Sequence, residues 1–117
     1  MNRDEHTAIV CQSHKLTQDD LRGWSKKPPI VAARRELMHR LCVVAWVEAM
    51  RAGADPLKAQ FQHSLTSVGT WLRKDHTTAL YAIRTLSAEV YGTRPRASLA
   101  EMRAAYAESL QAEKVAA

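Results

Sequence analysis

Apolar positions along this chain recur every three or four residues, the spacing of helices and not of strands. The longest such pattern covers residues 30–52. Leu37, Leu41, Val44 and Glu48 fall on one line, and Met38, Cys42, Ala45 and Trp46 widen the apolar face. That width predicts a central helix buried on more than one side, with Arg34, Arg35 and Arg40 exposed on its first turns. Upstream, the pattern predicts a helix over about 4–14, a short one that Thr17 caps and Gly23 ends, and a basic loop, "WSKKPPI", whose Pro28-Pro29 suits a helix entry. Downstream, Gly53 closes the long helix and a short helix is expected over about 56–63. "SLTSVGTWL" then reads as a short helix with Leu65, Val68 and Leu72 inward and Thr66 as its N-cap. After "RK" comes a longer helix with Ala79, Leu80, Ile83, Leu86, Ser87 and Val90 inward, His76, Thr77, Tyr81, Arg84 and Thr85 among its outward positions, and Gly92 as its stop. Short helix, tight turn and longer helix together predict a helix-turn-helix. A last helix follows a basic linker: Ser98-x-x-Glu101 is a capping box and Leu99, Met102, Tyr106 and Leu110 form a stripe.

Composition agrees with an all-helical domain. The 117 residues include only four glycines and four prolines, and 46% are hydrophobic, enough for one core. No run approaches the roughly 18 apolar residues of a membrane span, and no signal pattern opens the chain, so a cytoplasmic protein without a membrane is expected.

The net charge of +5 is unevenly placed. Residues 24–58 hold seven Lys/Arg against three Asp/Glu, and residues 59–96 hold five against two, while each end of the chain is slightly acidic. A basic middle fits a polyanionic partner, nucleic acid above all. The chain has no GxxxxGK[ST] or GxGxxG phosphate loop, no HExxH, and no Ser-His-Asp arrangement that spacing can pick out. Asp75-His76 is a conceivable acid–base pair, but neighbouring helix residues point about 100° apart, so no orienting hydrogen bond is expected between them. Cys11/His14 and His39/Cys42 are both spaced i, i+3 and would supply Cys₂His₂ zinc ligands if two helices brought them together. The long gap between the pairs favours buried thiols and ordinary histidines. No catalytic residue, cofactor or metal is assigned.

The stretch "LRKDHTTALYAIRTL" holds more polar groups at a helix start than capping needs. Asp75 suffices as a cap. His76, Thr77 and Thr78 are surplus, and Arg73-Lys74 stands beside them. A recognition helix in the major groove meets base edges with its N-terminal residues, and short polar side chains suit that closeness. Asp75 accepts from a cytosine amino group, His76 donates to a purine or phosphate, and the threonines donate, accept or place a methyl against thymine.

Here "SLTSVG…DHTTALYAIRTL" resembles the C-terminal DNA-binding domain of the bacterial replication initiator DnaA, which carries a Ser-Leu-x-x-Ile-Gly helix followed by Arg-Asp-His-Thr-Thr and an apolar-patterned helix. "VCQSHKLTQDDLRG" and "KKPPIVAARREL" are similar to that domain's first helices and basic loop, so the resemblance spans about residues 7–92. It implies a Trp-repressor-like bundle in which Asp75, His76, Thr77 and Thr78 read a DnaA-box-like site. It further implies that Lys26 or Lys27 stands in for a minor-groove arginine, that Arg34 and Arg35 hold phosphates, and that Thr66, Ser67 and Lys74 seat the motif; by charge alone, Arg73-Lys74 beside a helix N-terminus attracts phosphate. The sequence departs from the family in its lysine-rich double-proline loop, in Arg73 where the family has a glycine pair, and in about fourteen extra residues around 47–61. The family's ATPase part has no counterpart here, so no nucleotide is expected.

The resulting expectation is a DNA-binding domain over 1–96 with an added helix over 97–117. It would bind double-stranded DNA sequence-specifically at DnaA-box-like sites, as a nucleoid-associated regulator of transcription or replication. The alternative is a protein-interaction module that assembles through the last helix, with little DNA affinity. That helix either folds back on the core around Trp46 and Phe61 or forms a homodimer contact.

Overall fold

The computed structural model describes residues 1–55 and 63–116, and the helix expected over 56–63 falls almost wholly outside them. Among the described residues the fold is all-helical: α1 (Arg3–His14), α2 (Gln18–Arg22), α3 (Pro28–His39), a π-helical turn over Arg40–Val44, α4 (Ala45–Arg51), α5 (Leu65–Trp71), α6 (His76–Tyr91) and α7 (Leu99–Ala116). No helix among them is long and apolar enough to cross a membrane.

Local chemistry fixes most boundaries. Asn2 caps α1, Thr17 and Asp20 form a reciprocal capping box on α2, and Pro28 and Pro29 open α3. Ser64, rather than Thr66, caps α5: its side chain accepts the Ser67 amide at 3.1 Å. Gly92 ends α6 in the left-handed conformation, with φ of 69°. Ser98 accepts the Glu101 amide, and the Glu101 carboxylate takes two hydrogen bonds from Arg94, at 2.6 and 2.7 Å. Arg94, with Ser98 adding a smaller part, holds that carboxyl down at about 2.

The long central helix runs through from Pro28 to Arg51, but its middle widens into the π-turn. A π-turn inserts one residue into the helical repeat and so rotates every later side chain about the helix axis. This explains a departure from the predicted stripe. Leu37, Leu41 and Trp46 are buried as expected, but Val44 and Glu48 are only half-buried, while Val43 and Val47 face the core.

α6 packs on α3 and α5, α1 and α2 lie against α3, and α7 covers α6 and α4. Val10, Leu21, Leu37, Leu41, Trp46, Leu72, Ile83, Met102 and Tyr106 belong to one continuous core. The inward face of α6 includes Ala82 but not Val90, which is 62% exposed. Near the end of α6 the aromatic ring of Tyr91 turns in instead, 4.5 Å from that of Tyr106.

The stripe on α7 closes on its own chain. Met102 and Tyr106 are fully buried, and Leu99 and Leu110 pack on the core edge. The Tyr106 ring lies 5.7 Å from that of Trp46, its hydroxyl is hydrogen-bonded to the buried Ser87, and Arg51 pairs with Glu113 at 2.7 Å. Trp46 thus meets the last helix as expected, and Phe61 lies outside the described residues.

Candidate functional site

The site begins with a cation that is almost wholly buried. Arg34 was expected to be exposed and to hold phosphate, yet it is only 7% exposed. Its Nε donates to the Leu21 carbonyl at 2.7 Å and its Nη1 to Ser25 at 3.1 Å, while its Nη2 reaches Asp20 at 3.3 Å and Gly23 at 3.2 Å. The carbonyls at the C-terminal end of α2 and in the following loop draw the guanidinium inward, where the helix dipole also favours a positive charge. Burial lowers its pKa, though a guanidinium keeps its proton in protein. Arg34 therefore fixes the loop carrying Trp24, Lys26 and Lys27.

Two further cations tie that region to the α5–α6 pair. Arg22 donates to the Trp71 carbonyl at 2.8 Å and stacks over the Trp71 ring at 5.1 Å, while Arg3 lies 4.7 Å from the same ring. Lys74 donates to the Gly23 carbonyl at 2.8 Å, with its ammonium 4.4 Å from the Trp24 ring. Burial, then Arg34 and Arg73, lowers the pKa of Lys74.

The connection between α5 and α6 is compact. Arg73 takes a left-handed conformation, with φ of 59°, and the Lys74 amide bonds back to the Gly69 carbonyl at 2.8 Å. Gly69 is needed for this approach: a Cβ there would stand 2.9 Å from the Lys74 carbonyl oxygen and 3.2 Å from the Asp75 carbonyl. Side-chain flexibility cannot relieve a clash with backbone.

Asp75 is the N-cap of α6 and accepts the Thr77 amide at 3.0 Å. That bond is the first cause lowering its carboxyl pKa. Contrary to expectation, Asp75 also meets His76, Oδ1 to Nδ1 at 3.0 Å. The 100° separation assumed two helical residues, whereas a cap residue is extended (ψ of 151° here) and its side chain folds back over the first turn. Both side chains stay mostly exposed, as do Thr77 and Thr78.

The structure thus gathers Lys74, Asp75, His76, Thr77 and Thr78 at one helix start and brings the exposed loop with Lys26 and Lys27 beside it through Gly23 and Trp24. Arg35 joins from α3. Its guanidinium lies 5.2 Å from the Tyr81 ring, and Arg35, Lys74, Thr78 and Tyr81 share a cleft of about 110 Å³. Arg73 is exposed in the turn, and Thr66 and Ser67 are exposed on α5. Sequence reasoning missed Trp24, which is 76% exposed. Its signal was an aromatic residue between a helix-ending glycine and a lysine pair.

Cys11, His14, His39 and Cys42 are not gathered. The Cys42 thiol donates to the His63 carbonyl at 3.3 Å, His14 pairs with Glu36, and among the described residues no three His, Cys, Asp or Glu side chains form a metal-binding group. Burial pushes the Cys42 thiol up to about 12, far from thiolate chemistry. Comparison with protein-family models, curated proteins and solved structures finds no match to this chain.

Proposed function

We propose that this protein binds double-stranded DNA sequence-specifically, with α5 and α6 acting as a helix-turn-helix of the DnaA C-terminal kind and α6 reading the major groove of a DnaA-box-like site. One observation carries the reading. The first turn of α6 presents His76, Thr77 and Thr78 uncovered, although Asp75 alone supplies the side-chain cap. Apart from the contact of His76 with Asp75, folding leaves these side chains exposed, and groove recognition uses exposed groups of this kind. Around them stand exposed Lys26, Lys27 and Arg73, with Arg35 half-exposed beside Thr78, a cationic setting for phosphates. Occupancy of a site would then regulate transcription or compete with an initiator. In this reading Arg34 positions the loop and touches no phosphate.

The test selects bound sites from a random duplex pool, then compares His76→Ala and Thr77→Ala on the best site and on random DNA. Each substitution is expected to cost about 1–3 kcal/mol on the selected site and almost nothing on random DNA. Equal losses on both would sink base reading.

A further inference from the structure

We propose that Trp24 is a DNA contact in its own right. Its open ring face packs on the sugars and base edges of a duplex beside the stretch read by α6. This rests on the DNA-binding reading and adds a residue outside the family signature. Three observations carry it.

Trp24 is 76% exposed, whereas Trp46 is buried and Trp71 is half-buried under two arginines. The loop holding Trp24 is built rigidly. Arg34 bonds the carbonyls of Gly23 and Ser25, the residues on either side of Trp24, from inside the protein. A buried cation spent on a surface loop is costly, and what it secures is the placement of Trp24 and the lysines after it.

Finally, the neighbours of Trp24 are cationic. Lys74 sits over its ring at 4.4 Å, and Lys26 and Lys27 come shortly after it in the chain. An aromatic anchor for a protein partner is typically ringed by apolar and neutral contacts. An aromatic ring among ammonium groups suits a polyanion, whose sugars and base edges it packs against while the ammonium groups meet phosphates. Because Lys74 also opens the approach to α6, a duplex lying along the first turn of α6 passes beside the Trp24 ring.

The experiment measures duplex affinity against salt for the intact protein and for Trp24→Ala, Trp24→Phe and the Lys26→Ala/Lys27→Ala pair. It also follows acrylamide quenching of tryptophan emission with and without DNA, and the difference between the intact protein and Trp24→Phe isolates Trp24. Trp24→Ala is expected to weaken binding about tenfold with an unchanged salt slope, from the loss of buried ring area. Trp24→Phe should recover most of the loss, the lysine pair should lower the slope by about 1–2 units, and DNA should shield Trp24 from acrylamide. If the intact protein binds duplex while Trp24→Ala binds equally well and Trp24 stays fully quenchable, the contact is overturned and the DNA reading stands. If Trp24→Ala lowers the salt slope and Trp24→Phe restores nothing, Trp24 merely orients Lys74, which also overturns the proposal. An intact protein without duplex affinity overturns both readings.

Discussion

The two ends of α6 differ in what covers them. Toward its C-terminal end the inward face is closed: the Ser87 hydroxyl is bonded to Tyr106, and the Tyr91 ring meets that of Tyr106 at a tilt of 55°. At its N-terminal end four polar side chains stand in water, and Asp75 alone caps the helix. The same helix is therefore a core element at one end and a bare polar surface at the other. α7 covers the far end of the helix, while the first turn keeps its polar side chains exposed, where the proposed reading places recognition. Substitutions at the two ends should separate stability from recognition.

The largest expected effect is at the closed end. Tyr106→Ala removes a fully buried ring that touches those of Trp46 and Tyr91, and should cost about 3–5 kcal/mol in a urea titration. The DNA affinity of the fraction still folded should stay unchanged. A parallel loss of affinity would mean the two ends are coupled.

Acid should act on the same end. His39 lies 6.3 Å from Tyr91, and burial, aided by Arg40, lowers its pKa to about 4, with Glu36 opposing. Its folded pKa lies below the unfolded value, so its stabilisation is complete above about pH 6.5 and is lost as pH falls toward 4. The loss should be on the order of 3 kcal/mol. The buried His6 is shifted in the same direction. Urea titrations between pH 7.5 and 4.5 measure it, and His39→Gln should flatten part of the slope; an unaltered slope would mean that His39 is not the titrating group.

Gly69→Ala probes the open end. The new methyl would press on the Lys74 and Asp75 backbone, at a cost of about 1–3 kcal/mol. Because the displaced element is the start of α6, site affinity should fall by more than stability does. The reverse ranking would show that the first turn of α6 is not what meets the site.

The smallest effect is at the cap. Asp75→Ala should lose about 1 kcal/mol of stability, whereas Asp75→Asn retains most of it. If both substitutions weaken selective binding while only the first lowers the melting temperature, Asp75 both caps and reads.

Much of the architecture was legible because it depends on local order. Thr17, the Pro28-Pro29 pair, Asp75 and Gly92 mark helix ends through their own backbone and side-chain chemistry, and the stripe of Leu99, Met102, Tyr106 and Leu110 could be read as a face needing cover. The polar surplus at Asp75–Thr78 was legible for the same reason, since helix geometry alone says which positions begin a turn. The π-turn was not legible, because a one-residue insertion leaves no mark on a pattern already apolar on several sides; it moved Val43 inward and Val44 outward.

The roles of the cations were decided only by tertiary structure. Arg34 and Arg35 are adjacent and chemically alike in sequence, yet Arg34 is buried with its guanidinium on four carbonyls and Arg35 is half-exposed against Tyr81. Sequence determines that the chain is helical, where most of its described helices start and stop, and that its middle is basic. Which of those positive charges remain for a partner depends on which backbone carbonyls the folded chain leaves needing a donor. That demand arises between α2, α3 and α6, segments distant in sequence whose closeness no local pattern encodes.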